Sequence, residues 1–249
     1  MRNIHNLESL DLGSSSSLSD ISGLKNLRDL KTLSLGWTAI DDEDLKNISH
    51  LTGLTKLDIN NNSIKGLGLE DLASLINLTW LDLDETLIGD EGLKYFQYWP
   101  STSKLNHLRL FQNQGEALTG KTFYHLSHLG NILELQICYN QINDAGLEVL
   151  ASSLPNLTQL MVRGNLYTNL GLESLARLSK LKVLLLSGNE QITSSGLSRF
   201  ESLSSLVELH VRSTQVKKDD SEIKELKLRN KNLKISTKRP FLGEDNDEL

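Results

Sequence analysis

The sequence contains little cysteine, little proline and few aromatic residues. Its 249 residues include one cysteine, three prolines and 5% aromatic side chains. The lone Cys138 excludes a disulfide within the chain. Because proteins of oxidising compartments often carry disulfides, we expect a cytoplasmic protein. No apolar run reaches the length of a signal peptide or of a membrane span, so no membrane association is expected.

Negative charge exceeds positive charge over the chain as a whole. The net charge of −6 opposes binding to nucleic acid or to an anionic membrane, because both would repel the average field. Positive charge nevertheless clusters between Lys217 and Arg239, where nine basic residues meet four acidic ones. We interpret this cluster as a solvated edge whose lysines resist strand pairing, with a nucleic-acid site as the alternative.

Leucine recurs at a fixed spacing along nearly the whole chain. The pattern is Leu-x-x-Leu-x-Leu-x-x-(Asn/Thr)-x-Ile-x-Asp-x-Gly-Leu-x-x-Leu-x-x-Leu, and successive copies are 23 to 27 residues apart. The nine copies begin at Leu7, Leu30, Leu54, Leu78, Leu105, Ile132, Leu157, Leu181 and Leu206. Such a period is typical of a solenoid, in which each unit buries its apolar face against its neighbours.

These residues resemble the leucine-rich repeat family over roughly Leu7 to Val216. Later copies, such as 86–93, are similar to the ribonuclease-inhibitor-like subclass with helical convex sides. The first copy, at 18–27, is closer to the shorter repeats of bacterial internalin-like proteins, which favours a bacterial source. The resemblance implies an α/β fold, a horseshoe-shaped solenoid with a parallel concave β-sheet and helices on the convex side.

The repeat register predicts where each side chain lies. In 78–83 the period of two makes a short strand with Leu81 and Leu83 inward and Trp80 outward. An Asn or Thr recurs where the chain turns inside the solenoid, and we expect these side chains to satisfy buried backbone groups and to bridge repeats. This ladder comprises Thr38, Asn62, Thr86, Asn113, Asn140, Asn165, Asn189 and Thr214. Asp90, Asp144 and Ser194 occupy predicted helix N-cap positions.

The C-terminal end is predicted to close the solenoid. Ser221 to Leu228 has the pattern of a short amphipathic helix with Ile223 and Leu226 inward, and Leu233 and Ile235 alternate like one last edge strand. We therefore divide the chain into nine repeats (1–216), a cap helix and edge strand (217–236) and a flexible acidic tail (237–249).

One segment matches a nucleotide-binding motif. Gly115 to Thr122 fits the Walker A pattern, follows a predicted strand and precedes a helical stretch. The repeat register argues against a phosphate site, because it places Leu118 at the buried position of Ile40 and Ile64. A nucleotide-binding enzyme using Lys121 and Thr122 is therefore an alternative rather than the main prediction.

Other candidate chemistry is sparse. Cys138 and His107 fall on neighbouring outward strand positions, but no third orienting group accompanies them, so an exposed thiol in a binding surface is the preferred interpretation. The acidic run 41–44 lacks the spacing of a calcium loop and is typical of a helix start. No histidines and cysteines have zinc spacing. We expect no enzyme activity, no cofactor and no metal.

The outward strand positions form the candidate functional surface. They carry aromatic and other hot-spot residue types, with acidic side chains toward one end and arginines toward the other. The predicted contact residues are Trp37, Asp58, Asn60, Trp80, Asp82, Asp84, Glu85, His107, Arg109, Phe111, Tyr139, Met161, Arg163 and Leu185.

The sequence thus predicts a non-enzymatic module that binds a protein on its concave face, with no nucleic acid, membrane or small-molecule substrate. Similar repeat proteins include effectors of intracellular bacterial pathogens, which implies a bacterial effector or effector-blocking protein, placed in the host cytosol if it is translocated. A substrate-recognition arm of a ubiquitin ligase is a third possibility, which would require an adaptor-binding domain on a longer chain.

Overall fold

In the computed structural model, which describes residues 6–112 and 118–237, the chain forms one open sheet of parallel strands. Each strand is three residues long, and the strands follow one another in chain order. They are β1 (Ser9–Asp11), β2 (Thr32–Ser34), β3 (Lys56–Asp58), β4 (Trp80–Asp82), β5 (His107–Arg109), β6 (Glu134–Gln136), β7 (Gln159–Met161), β8 (Val183–Leu185), β9 (Glu208–His210) and β10 (Lys234–Ser236). The predicted α/β solenoid with a parallel sheet is confirmed.

The strand register is also confirmed. The central leucines pair in one continuous row, with Leu81 opposite Leu108 and Leu108 opposite Leu135. These three side chains are buried, whereas Trp80 and Arg109 are half-buried and Tyr139 is exposed. Because the side-chain period of a strand is two, this burial directs the intervening residues of every strand to the opposite face of the sheet.

The other side of each repeat is helical, but most segments are shorter than the resemblance implied. The α-helices are α1 (Asp90–Leu93), α2 (Asp144–Ser153), α3 (Asn169–Leu175), α4 (Ser194–Leu197) and α5 (Ser221–Arg229). Tight 3-10 turns cover Ser22–Asn26, Asp42–Asn47, Leu67–Leu69, Asp71–Ser74, Lys94–Tyr98, Phe123–Leu126 and Ser198–Ser202. Within the described ranges only α2 and α5 exceed seven residues, so this helical side of the solenoid is built mainly from short helical turns.

The predicted helix caps were wrong by one residue. Asp90, Asp144 and Ser194 are the first residues of their helices, and the N-cap of α2 is Asn143, whose side chain accepts a hydrogen bond from the Gly146 N–H. Asp144 instead accepts from the backbone N–H groups of Thr168 (2.7 Å) and Gly171 (2.9 Å), one repeat further along the chain. The carboxylate therefore joins two repeats rather than capping its own helix.

The described asparagines of the ladder bridge repeats as predicted, whereas the Thr214 hydroxyl donates to Val211 in its own repeat. The Asn62 side-chain amide donates to the Leu35 carbonyl oxygen at 2.8 Å, and the Asn165 amide donates to Ile137 at 2.9 Å. Both acceptors lie in the preceding repeat. Buried carbonyl groups are satisfied in this way where the backbone leaves the sheet. Asn113 lies outside the described residues.

The C-terminal end adds α5 and β10 to the nine repeats. Ile223 and Leu226 of α5 are buried, and β10 pairs in parallel with β9. Residues 238–249, which include nearly all of the predicted acidic tail, lie outside the described residues. In the part of the chain that the structure describes, no helix has the length and apolar character needed to cross a bilayer.

Candidate protein-binding surface

The outward face of the sheet, here called the sheet face, is ordered in four rows that run across the strands. The first row contains Lys56, Trp80, His107, Glu134, Gln159 and Val183, and the second contains Asp58, Asp82, Arg109, Gln136, Met161 and Leu185. The third row lies two residues after the second row in each repeat and contains Asn60, Asp84, Phe111, Cys138 and Arg163. The rim row follows directly and contains Ser14, Trp37, Asn61, Glu85, Gln112, Tyr139, Gly164, Gly188 and Ser213.

The rim row has left-handed backbone. Trp37 (φ 59°), Glu85 (φ 54°) and Tyr139 (φ 55°) have positive φ, and so do the glycines that follow at this position. From Ser14 to Gly188 each rim N–H continues the ladder to the next repeat: the Glu85 N–H donates to Phe111 (2.7 Å) and the Tyr139 N–H donates to Arg163 (2.7 Å). The leucine pattern did not predict this left-handed conformation. The only signal for it in the sequence is that Gly164 and Gly188 occupy the same register position as the aromatic residues.

Two aromatic side chains of the rim row are exposed. Trp37 is 55% exposed and Tyr139 is 47% exposed. The Tyr139 ring lies over Gly164, where a Cβ atom would be 2.5 Å from its Cδ1, and it meets the Phe111 ring edge-on with centroids 5.2 Å apart. Gly164 is therefore needed for the position of Tyr139 as well as for its own backbone conformation.

Arg109 joins two buried carboxylates at the centre of the sheet face. Its Nε is 2.8 Å and its Nη2 is 2.6 Å from Asp84 Oδ2, and its Nε is 3.2 Å from Asp82 Oδ2. Asp84 Oδ1 accepts the Phe111 N–H at 2.7 Å, and Asp82 Oδ1 accepts the Asp84 N–H at 2.9 Å. The cluster thus fixes the guanidinium and the backbone that carries Phe111.

One guanidinium does not fully neutralise two buried carboxylates. Burial and the neighbouring Asp84 raise the pKa of Asp82 to about 7, against the opposing effect of Arg109. Burial also raises the pKa of Asp84, against the opposing effect of the Phe111 N–H. Asp82 and Asp84 were predicted as contact residues. Although they face outward, they lie buried beneath Arg109, so their carboxylates act through this cluster rather than as exposed groups.

Asp58 and Glu85 are partly exposed acidic groups of the sheet face. Asp58 is half-buried and accepts hydrogen bonds from the Asn60 side-chain amide (2.7 Å) and backbone N–H (3.1 Å). Glu85 is half-buried and accepts from the Asn61 amide at 2.9 Å. These donors orient the carboxylates without neutralising their charge.

The first row contains a lysine stacked on an aromatic ring and a histidine in contact with a glutamate. Lys56 Nζ lies 4.0 Å from the centre of the Trp80 ring, and His107 Nε2 is 2.8 Å from Glu134 Oε2. A shallow depression of about 170 Å³ is lined by Trp80, His107, Arg109, Glu134 and Met161, among others. This volume is smaller than that of typical small-molecule pockets.

Cys138 is not the exposed thiol that the sequence suggested. The side chain is buried, and burial raises the pKa of its thiol to about 11. A thiol with this pKa is almost entirely protonated near neutral pH, so it is a poor nucleophile. His107, its candidate partner, is hydrogen-bonded to Asn106 and paired with Glu134. In the described residues no three histidine, cysteine, aspartate or glutamate side chains are grouped to hold a metal ion.

The described part of the Walker-like segment is occupied by contacts with the protein itself. Asp90 accepts hydrogen bonds from the Gly120 N–H and the Thr122 hydroxyl, both at 3.2 Å, and from Thr119. Leu118 is buried, as the register predicted. These groups would have to bind phosphate and metal in a nucleotide site. Gly115 to Ala117 lie outside the described residues.

The remaining predicted contact residues are placed on the same face. Met161, Arg163 and Leu185 are half-buried on the C-terminal half of the sheet face. Because they occupy the second and third rows beyond Tyr139, they extend the surface but do not contribute to its rim.

Comparisons with known proteins agree with this architecture. The family model described as "Leucine Rich repeat" matches residues 26–49, 50–73 and 131–151. Internalin C2 from Listeria monocytogenes is 25% identical with a TM-score of 0.51, and the match covers 93% of this chain and 80% of that one. Another Listeria monocytogenes internalin is 18% identical over 92% of this chain and 86% of that one, with a TM-score of 0.35. No curated protein matches the sequence.

The fold defines a solenoid that presents a rigid sheet of repeated strands, which is an architecture for molecular interaction. Three segments of the chain match the leucine-rich repeat model, and the fold is that of a leucine-rich repeat solenoid, as in the internalin C2 structure.

Proposed function

We propose that this protein binds another protein on its sheet face and catalyses no reaction. The observation that carries the proposal is the concentration of partly exposed aromatic, charged and methionine side chains on one rigid, parallel surface. Aromatic and arginine side chains are enriched among the residues that dominate binding energy at protein interfaces.

The dimensions of the surface favour a macromolecular partner. The repeats that carry Trp37 and Arg163 are five strand spacings apart, which corresponds to about 24 Å. Open surfaces of this width suit a folded domain, whereas small ligands are usually enclosed in concave pockets. Phe111, Tyr139 and Trp80 lie near the middle of this span, where the most important interface contacts usually occur.

Several contacts disfavour the alternative functions. A nucleotide would have to displace Asp90 from Gly120 and Thr122, and a cysteine mechanism would need a far more acidic thiol than that of Cys138. A substrate-recognition arm of a ubiquitin ligase would require an adaptor-binding domain on a longer chain.

The proposal is tested by affinity capture with matched aromatic variants. Trp80→Ala combined with Phe111→Ala removes two sheet-face rings, and Tyr98→Ala combined with Tyr124→Ala removes two exposed rings from the helical side. We expect the first pair to abolish capture of a specific partner and the second pair to leave it unchanged. Equal recovery by wild type and the sheet-face variant would overturn the assignment.

We further propose that binding occurs in the cytosol, of the producing bacterium or of a host cell if the protein is a translocated effector. The lone, buried Cys138 supports a reducing environment, since no disulfide contributes to stability. A translocation reporter fused to the chain, compared with fractionation of the producing cells, tests which cytosol contains it. Recovery in the periplasm or on the cell surface alone would contradict the proposal.

A further inference from the structure

Six consecutive rim positions carry side chains, the next two are glycine and the last is Ser213. Ser14, Trp37, Asn61, Glu85, Gln112 and Tyr139 adopt positive φ, followed by Gly164, Gly188 and Ser213. Left-handed backbone costs roughly 1–2 kcal/mol at a residue other than glycine. Glycine would satisfy the backbone at all nine positions, so the large side chains from Trp37 to Tyr139 add something that this backbone conformation does not require. Strained backbone of this kind is often associated with a binding function.

The charge available to a partner along this stretch is negative. Arg109 is paired with Asp82 and Asp84, Glu134 Oε2 lies 2.8 Å from His107 Nε2, and Lys56 keeps its charge while it is stacked on Trp80 in the first row. Asp58 and Glu85 have only neutral hydrogen-bond partners among the described residues, and Arg109 attracts Asp58 at longer range. Their carboxylates therefore carry negative charge that the hydrogen bonds orient but do not cancel. The buried Asp82–Asp84 pair adds to the negative field beneath them.

Exposed aromatic side chains lie at both ends of this acidic stretch. Trp37 and Tyr139 occupy the second and sixth rim positions, and the four strand spacings between their repeats amount to about 19 Å. Glu85 lies midway between them, with Asn61 on one side and Gln112 on the other. The rim from Trp37 to Tyr139 is thus aromatic at its two ends and acidic at its centre.

We propose that the partner is a protein that places a lysine or arginine beside Asp58 and Glu85 and apolar side chains on Trp37 and Tyr139. This inference rests on the proposed function, because it specifies the chemistry of the partner at the same surface. A cation is attracted by the unneutralised carboxylates, and a desolvated charge in a complex requires an opposite charge as its neighbour. The aromatic side chains supply apolar contact area on either side.

The chemistry is tested with a displayed library of small helical domains randomised on one face, selected against the whole protein. Binders are then measured against three variants. Asp58→Lys with Glu85→Lys reverses the rim charge, Glu70→Lys with Asp71→Lys makes the same net change on the helical side, and Trp37→Ser with Tyr139→Ser removes the aromatic ends. Circular dichroism melts establish that each variant is folded.

We expect the selected faces to be enriched in lysine and arginine at least twofold over the starting library. Their affinity should fall at least tenfold with the rim charge reversal and with Trp37→Ser and Tyr139→Ser, and less than twofold with the helical-side variant. Binders that need the aromatic rim but are neither basic nor sensitive to rim charge would overturn this inference and leave sheet-face binding intact. Binders insensitive to both rim variants, or no enriched binders, would count against both proposals.

Discussion

The two halves of the sheet face differ in the number of destabilising features they contain, such as left-handed backbone at large residues and buried carboxylates. From Trp37 to Tyr139 the rim has left-handed backbone with side chains, and the rows behind it hold two buried carboxylates on one guanidinium. From Gly164 onward two of the three rim positions are glycine and the third is the small Ser213, and the second row is apolar at Met161 and Leu185. Both halves share the same leucine core and strand ladder, so the difference does not arise from the fold. It indicates that the features which shape the surface of the N-terminal half also lower the free energy of unfolding.

The largest expected effect in this comparison is that of Arg109→Ala. The substitution leaves Asp82 and Asp84 buried without their cation, and breaking a buried ion pair in this way costs about 3 kcal/mol of unfolding free energy at pH 8. Urea unfolding monitored by circular dichroism measures the loss. Arg177→Ala breaks the exposed pair with Glu148 and serves as the control, with an expected cost below about 0.5 kcal/mol. Similar costs for the two variants would remove the proposed difference between the halves.

The second prediction concerns pH and Asp82. Its folded-state pKa of about 7 lies above its ordinary value of 3.8, so its contribution to stability is fully present below pH 3.8 and is lost as pH rises through about 7. Asp82→Asn removes this titration. Relative to wild type, we expect the variant to gain about 2 kcal/mol of unfolding free energy between pH 5 and pH 8, a figure kept below the full shift because Asp84 shares the site. A difference independent of pH, measured by urea unfolding at both pH values, would contradict it.

The third prediction concerns the boundary between the halves. Gly164→Ala introduces a Cβ atom against Tyr139 at a φ of +60°, and we expect a loss of about 1.5 kcal/mol from strain and displacement of the ring. Gly130→Ala is the control, because nothing lies within 4 Å of its added Cβ atom. Thermal melts give the stabilities, and near-ultraviolet circular dichroism reports the environment of Tyr139. Equal melting temperatures for the two variants would show that Gly164 is replaceable.

The smallest expected effect is the conformational strain of Trp37 itself. Trp37→Gly and Trp37→Ala both remove the exposed ring, but only glycine adopts a φ of 59° without a steric cost. The glycine variant should therefore be more stable than the alanine variant by about 1 kcal/mol, while both lose partner affinity. The comparison uses thermal melts in the same buffer. An alanine variant as stable as the glycine variant would show that the rim backbone is not strained.

Much of the fold could be predicted because the leucine spacing leaves few alternatives. The strand positions, the inward row through Leu81 and Leu108, and the bridging role of Asn62 and Asn165 all follow from a register that repeats along the chain. The convex side was less predictable. Asp144 has the residue type of a helix cap, but its oxygens bind N–H groups one repeat away, and no local pattern distinguishes those two roles.

The sequence predicted to which face of the sheet the side chains of the candidate site point, but not how exposed these side chains are. The outward position of Asp82, Asp84 and Cys138 follows from the strand period, whereas their burial depends on what the neighbouring strands place over them. Arg109, which belongs to the next repeat, covers the two carboxylates, and Cys138 is buried by the residues that surround it. In the sequence pattern, a residue that contacts a partner cannot be distinguished from a buried residue that supports the surface.

The sequence alone determined a parallel solenoid and the two faces of its sheet, since apolar periodicity decides which side chains leave water. Tertiary structure decided the pairing of Arg109 with two carboxylates, the left-handed backbone of the rim and the position of the Tyr139 ring over Gly164. These features depend on contacts between residues about 25 positions apart, whose geometry is fixed only when neighbouring repeats stack.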